Sequence, residues 1–337
     1  MQKRSRQSRR WIFVLLTFLV VVALGVGVIV GAVRIPLSEV LSTLVGRGDA
    51  TSSHYLIISQ IRLPRVLLGL LVGCALALSG GTMQGLFRNP LASPYVLGVA
   101  SGASTGAAAV ILLNLRGIFF LPLGAFIGGA LVVGIVYCLA QGRRGRAGVY
   151  TLILAGVAVG ALFSAVTSFI IYLSSGSERA TDVIFWIMGG LGRANWPSLW
   201  VLTPIVLVCS LVILSLSRDL NALAMGEEGA FHLGIDPEKS KRLLLGVATL
   251  LTASAVAFSG TIGFVGLIIP HIMRLIVGPD HRFLLPAIAL AGAIFLVWAD
   301  AAARVVVSPA ELPVGIITAF FGAPFFLYLL KTKGARM

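Results

Sequence analysis

Acidic side chains are scarce in this sequence, and the places that lack them are informative. Only 12 Asp and Glu stand among 337 residues, and the long apolar stretches hold almost none of them. A carrier coupled to protons or sodium needs an ionisable group near the middle of the bilayer, so this scarcity argues against a self-powered carrier. Asp300 is the one acid inside such a stretch, and with Arg304 four residues on it reads as half of a local ion pair. Cysteine is nearly missing too. Cys74, Cys138 and Cys209 all lie in apolar stretches without metal-ligand spacing, which assigns them to packing. There is no His-Glu-x-x-His, no Gly-x-Ser-x-Gly and no P-loop, so the chain is expected to be no enzyme and to leave any ATP hydrolysis to a partner. No metal and no cofactor of its own is expected. His271, alone among apolar residues, reads as a structural histidine.

What is present is hydrocarbon. The chain is 58% hydrophobic and 11% charged, where a soluble domain carries about 25% charge. Runs of roughly 20 apolar residues, enough to cross about 30 Å as a helix, recur throughout. The expected fold is an all-α polytopic membrane protein, a single transmembrane domain over 1–337. Its ten spans are placed near 11–33, 65–87, 95–114, 118–140, 148–172, 198–216, 243–260, 263–277, 284–305 and 313–330. The run from Trp11 is too long for a signal core and has no small-x-small cleavage site, so it reads as an uncleaved first span behind a basic tail, 1–10.

The net charge of +14 could suggest nucleic acid, but its placement does not. With the tail inside, the inner segments, Arg143, Arg144 and Arg146 among them, carry more than twice the Lys and Arg of the outer ones. That is the positive-inside pattern, and it puts both termini in the cytoplasm of a multi-pass inner-membrane protein. Within the spans, glycines recur four residues apart (Gly98/Gly102/Gly106, Gly124/Gly128, Gly156/Gly160), which predicts closely packed helix pairs. Asn89-Pro90 and Gly260-Thr-Ile-Gly263 interrupt helix. Irregular backbone at membrane depth must be buried in protein or line a cavity.

One polar island stands out, from Ser217 to Arg242, flanked by spans and placed in the cytoplasm. It holds Arg218, Asp219, Glu227, Glu228, Asp236, Glu238, Lys239, Lys241 and Arg242. Gly226 to Gly234 reads as a short helix, with two acids at its positive N-terminal end and a glycine stop. Ala230, Phe231 and Leu233 are expected to form an apolar knob for a groove on a partner; a solvated connector is the plainer alternative.

Several ordered motifs then give a resemblance over essentially the whole chain. They are Arg62-Leu-Pro-Arg65, Ser79-Gly-Gly-Thr-Met-Gln84 with Arg88-Asn-Pro-Leu-Ala-Ser-Pro94, Leu97-Gly-Val-Ala-Ser-Gly-Ala103, Gly263-Phe-Val-Gly-Leu-Ile-Ile-Pro-His-Ile-Met-Arg274, Asp280-His-Arg282, Glu311-Leu-Pro-Val-Gly315 and Gly322-Ala-Pro-Phe325. Together they resemble the ABC importer permeases for iron–siderophore complexes, haem and vitamin B12. The resemblance implies a type II importer fold with ten helices. It also implies a second permease copy (identical or paralogous), two cytoplasmic ATP-binding subunits and an extracytoplasmic substrate-binding protein. It assigns the ATPase-coupling loop to Asn221, Leu223, Gly226, Glu227, Glu228, Ala230, Phe231, Leu233 and Gly234. Arg62, Arg65 and Arg304 match arginines that meet acids on the binding protein; the plainer alternative is that Arg62 and Arg65 anchor a span at the interface. Val149 and Tyr150 match the cytoplasmic gate, where the vitamin B12 permease has small hydroxyl residues. The implied cargo is a metal chelate, a ferric siderophore first, haem or cobalamin next. Molybdate-type oxyanions are the alternative within the family, and an ion-coupled carrier or a membrane-embedded enzyme or sensor lies outside it.

Overall fold

The structure, a computed structural model, describes residues 6–31, 33–141 and 148–334. The first residues of the basic tail and the Arg143–Arg146 run lie outside them. Every helix of ten or more residues but one corresponds to an expected span. In chain order the helices are α1 (Arg6–Ile29), α2 (Leu37–Leu44), α3 (Ser53–Leu86), α4 (Val99–Leu112), α5 (Phe120–Ala140), α6 (Val149–Leu173), α7 (Glu178–Met188), α8 (Trp196–Ser215), α9 (Ser217–Ala224), α10 (Glu227–His232), α11 (Pro237–Ser259), α12 (Val265–Val277), α13 (His281–Ala303) and α14 (Val314–Gly334). Among the described residues seven are long and apolar enough to cross a membrane, and α4, α12 and most of α14 are shorter apolar helices. The chain is therefore a multi-pass, all-helical membrane protein. Spans six and eight, the hardest to delimit, come out within two residues of expectation at Trp196–Ser215 and Val265–Val277.

The bundle is built around α3, 78% of whose apolar window is enclosed by protein, against 17% for α6. Because lipid tails are as apolar as Leu, burial alone does not hold such helices together; close backbone approach does. A Cβ on Gly80 would stand 2.0 Å from the Gly266 carbonyl, which fixes α3 against α12. A Cβ on Gly106 would stand 2.0 Å from the Gly124 carbonyl, so two of the expected glycine stripes do meet, α4 against α5. Polar bonds add register inside the core: Thr252 Oγ1 donates to Ser79 Oγ at 2.9 Å, tying α11 to α3.

Two departures from regular helix shape the end of the bundle where α3 starts. Ile57–Arg62, within α3, is wound as a π-helix, a form that re-aims side chains and collects at functional places. The Gly260–Gly263 break separates α11 from α12, and protein groups meet part of its backbone. Gly190 N–H donates to Ser259 O at 2.7 Å and the Tyr95 hydroxyl to Ile262 O at 2.8 Å.

Candidate coupling loop and outer arginine cluster

At one end of the bundle, α9 and α10 form the polar island. Helix α10 is brief because both ends are fixed locally. Gly226 takes φ +111° before it, Glu227 and Glu228 sit in its first turn, and Gly234 at φ +78° ends it. Gly234 N–H donates to Phe231 O at 2.9 Å and Ile235 N–H to Ala230 O at 3.1 Å, the paired bonds of a Schellman stop. The loop is bolted to its neighbours. Asn221 Nδ2 donates to Asp280 Oδ1 at 2.8 Å, and Asn221 Oδ1 accepts from His281 N–H at 2.9 Å. Ser240 Oγ donates to Asp219 Oδ2 at 2.6 Å, and Lys241 pairs with Glu227. Asp280 also accepts from the Arg282 guanidinium, and this contact, with Asn221's, pulls its carboxyl down to about 2.

The structure divides the expected coupling residues into two groups. Phe231 and Leu233 are exposed (70% and 61%), Glu228 is exposed, and Gly226 and Gly234 shape the ends. Ala230, expected on the contact surface, is instead fully buried, and Leu223 is buried as well. Both belong to the hydrophobic core and not to the contact surface. Asn221 faces α13. Sequence reasoning missed Met225, which is 74% exposed just before α10 and adds a third exposed apolar side chain to the loop. Its position just before the Gly226 turn is the signal that could have found it.

At the opposite end, the three arginines expected at a charged rim are not rim charges in this structure: Arg62, Arg65 and Arg304 are 4%, 7% and 3% exposed. The reason is local chemistry. Helix α1 ends there with orphan carbonyls carrying its negative dipole end, and guanidinium groups satisfy both needs. Arg62 Nη1 donates to Val28 O at 3.0 Å and to Ile29 O at 2.7 Å, and a second nitrogen reaches Val33 O. Arg304 donates to Val30 O at 2.6 Å and Gly27 O at 2.9 Å. Arg304 also pairs with Asp300 at 3.1 Å, as the spacing predicted. Arg65 was not foreseen in that pair: it lies 2.9 Å from Asp300 and 2.7 Å from Glu311. Three cations thus face two carboxylates, and the carbonyls at the end of α1 balance the excess.

Arg65 and Glu311 also line a cavity of about 180 Å³ with Gly189–Arg193 and the Ser259–Gly260 break. This is below the roughly 300–1,000 Å³ of pockets that enclose a drug-sized ligand. Of the expected gate pair, Tyr150 is 85% exposed at the start of α6; the Val149 side chain lies outside the described residues. The coupling loop and the arginine cluster are joined by α13, whose Asp280 cap and Asp300 are 20 residues, or about 30 Å, apart.

Comparison with known proteins agrees with this architecture. Residues 15–332 match the FecCD transport family. The cobalamin import permease BtuC of Halobacterium salinarum is 49% identical over 83% of this chain and 74% of its own length. The hemin transport permease HmuU of Yersinia pestis is 41% identical over 96% of both chains. A solved structure described as an inward-facing conformation of a metal-chelate type ABC transporter superposes with a TM-score of 0.85 at 35% identity, over 96% of this chain and 99% of that one. The chain is thus a transport component and not an enzyme, and it belongs to the FecCD transport family of ABC permeases.

Proposed function

We propose that this chain, as one transmembrane domain, is half of the membrane pathway of an ATP-driven importer of metal chelates. The named cargoes of two relatives, cobalamin and hemin, favour a macrocyclic tetrapyrrole chelate over the ferric siderophore that the motifs first suggested. The observation that carries the reading is the exposed apolar set of Met225, Phe231 and Leu233 in and around α10, on a loop bolted to the bundle. A knob held this firmly transmits force, whereas a solvated connector has no use for an apolar tip. Both termini and this loop lie in the cytoplasm, where the knob seats in a groove of an ATP-binding subunit. A second permease copy completes the pathway, since the cavity beside Arg65, at about 180 Å³, is too small for a chelate. Tyr150, at the start of a helix largely outside the core, meets that copy, and with Val149 it forms the inner gate.

Docking of a substrate-binding protein takes place over the arginine cluster. Because Asp300 and Glu311 already hold Arg65, acids on the docking protein would displace Glu311, the exposed partner, and leave Asp300 in place. Mechanistically, ATP-driven approach of the two ATPase subunits carries the α9–α10 loops with them, and α13 conveys the displacement to the cluster at its far end.

The test is reconstitution with the partner ATPase and binding protein. The wild type should accumulate a tetrapyrrole chelate only with ATP. Phe231→Ala with Glu228→Lys should lower uptake at least about tenfold while thermal stability changes by no more than about 0.5 kcal/mol, the usual range for surface substitutions. Undiminished uptake in that variant would refute the coupling role, and accumulation by the lone chain without ATP would refute the importer reading.

A further inference from the structure

A second feature lies away from the pathway, in a groove between α5 and α11. It has a volume of about 330 Å³ and continues into a narrower cleft that shares Tyr137, Arg242 and Leu245. On α11 its wall is Arg242, Gly246, Thr249 and Ala253, spaced four, three and four residues apart, so they form one stripe. On α5 the facing stripe is Phe126, Ala130, Gly134 and Tyr137. The groove is apolar along most of its length and has a cation at one end only. Arg242 is exposed there, one turn inside the start of α11; Lys241 and the Glu238 carboxylate line the adjoining cleft, and among the described residues no carboxylate lies within ion-pair distance of Arg242. Gly134 and Gly246 open its floor: a Cβ on either would meet nothing within 4 Å. Thr249 is 7% exposed, yet its hydroxyl has no partner among the described residues.

We propose that this groove binds an anionic glycerophospholipid from the leaflet on the side of the α9–α10 loop. Its phosphate rests on Arg242 and one acyl chain lies over Gly246 and Gly134. Thr249 is seven residues, about 10 Å of helix, below Arg242. At that depth a diacyl lipid presents its ester carbonyls, and a turn of the Thr249 side chain about χ1 brings its hydroxyl, enclosed in this structure, to donate to one of them. A buried hydroxyl without a partner is costly, and this occupant removes the cost. A wholly apolar molecule would leave Arg242 and Thr249 unused, and a free phosphate would leave the apolar floor uncovered. That the leaflet is the cytoplasmic one rests on the topology proposed above; the site itself does not.

The test uses the full chain in nanodiscs of phosphatidylglycerol and phosphatidylcholine in equal amounts, followed by native mass spectrometry of retained lipid. The wild type should keep one phosphatidylglycerol in preference to phosphatidylcholine. Arg242→Gln should lower that preference about fivefold, the factor supplied by one cation–headgroup contact of ~1 kcal/mol. Gly134→Leu with Gly246→Leu should abolish retention of either lipid with the melting temperature unchanged, since both positions are open. Equal retention by the wild type and both variants would overturn the proposal. So would displacement of the lipid by soluble glycerol phosphate, or loss of an oligomer in the glycine variant, which would mean that a second copy covers the groove. The measurement needs neither ATPase nor cargo, so its failure is distinct from failure of the importer reading.

Discussion

The two ends of α13 are held by opposite kinds of chemistry. At the Asp300 end, charges are buried, and their partners come from α1, α3 and the segment before α14. At the Asp280 end, a neutral amide, Asn221, joins partly exposed groups, and the neighbouring knob is left bare. Buried ion pairs cost desolvation and break at great expense, so they suit a joint that keeps its partners. Half-exposed hydrogen bonds exchange with water cheaply and suit a joint that is pulled. On the coupling role proposed above, a rod fixed at one end and gripped at the other would convert a displacement of the loop into leverage on the bundle.

The largest effect expected is at the fixed end. Asp300→Leu leaves Arg65 and Arg304 buried without their shared carboxylate, which costs about 3–5 kcal/mol, the usual range for breaking a buried pair by removing one partner. Thermal unfolding in nanodiscs checks this, and a loss below 1 kcal/mol would mean that the carbonyls of α1 alone suffice. At the gripped end the cost should be smaller. Asn221→Ala removes the acceptor of the His281 amide and one donor to Asp280, a change of about 1–3 kcal/mol confined to the loop. Hydrogen exchange should quicken across α9 and α10 while the bundle's melting temperature moves less than in Asp300→Leu. If both variants melt alike, the two ends do not differ as described.

The same contrast explains what could be read from the sequence. The seven long spans were legible because a 20-residue apolar run states its own length. The glycine stripes of α4 and α5 were legible because spacing by four has one meaning in a helix. Asp300–Arg304 was visible as an i,i+4 pair, but Arg65 joins Asp300 across 235 positions, and no local pattern encodes that. Without it the arginines read as rim charges. Ala230 was assigned outward because a six-residue helix has too few positions to fix a face. Helix α7 was overlooked for a related reason. Its 11 residues are too few for a span, although Ser177 before Glu178, with Val183 and Trp186 buried three residues apart, marked an amphipathic helix.

The smallest effect distinguishes the gripped end by acidity. Arg282 and Asn221 hold the Asp280 carboxyl at about 2, below the roughly 3.9 of a free aspartate. A depressed folded-state value contributes stability that is fully present above about pH 4 and is lost as pH falls through about 2. Protection of the His281 and Arg282 amides, which donate to Asn221 and Asp280, should therefore be level from pH 7 to pH 5 and decline between pH 4 and pH 2. In Asp280→Asn that decline should vanish, because no charge remains to be neutralised, while the N-terminal cap survives through the amide oxygen. Protection that fell equally in both proteins would place the acid-sensitive group elsewhere and leave the Asn221 clasp independent of charge.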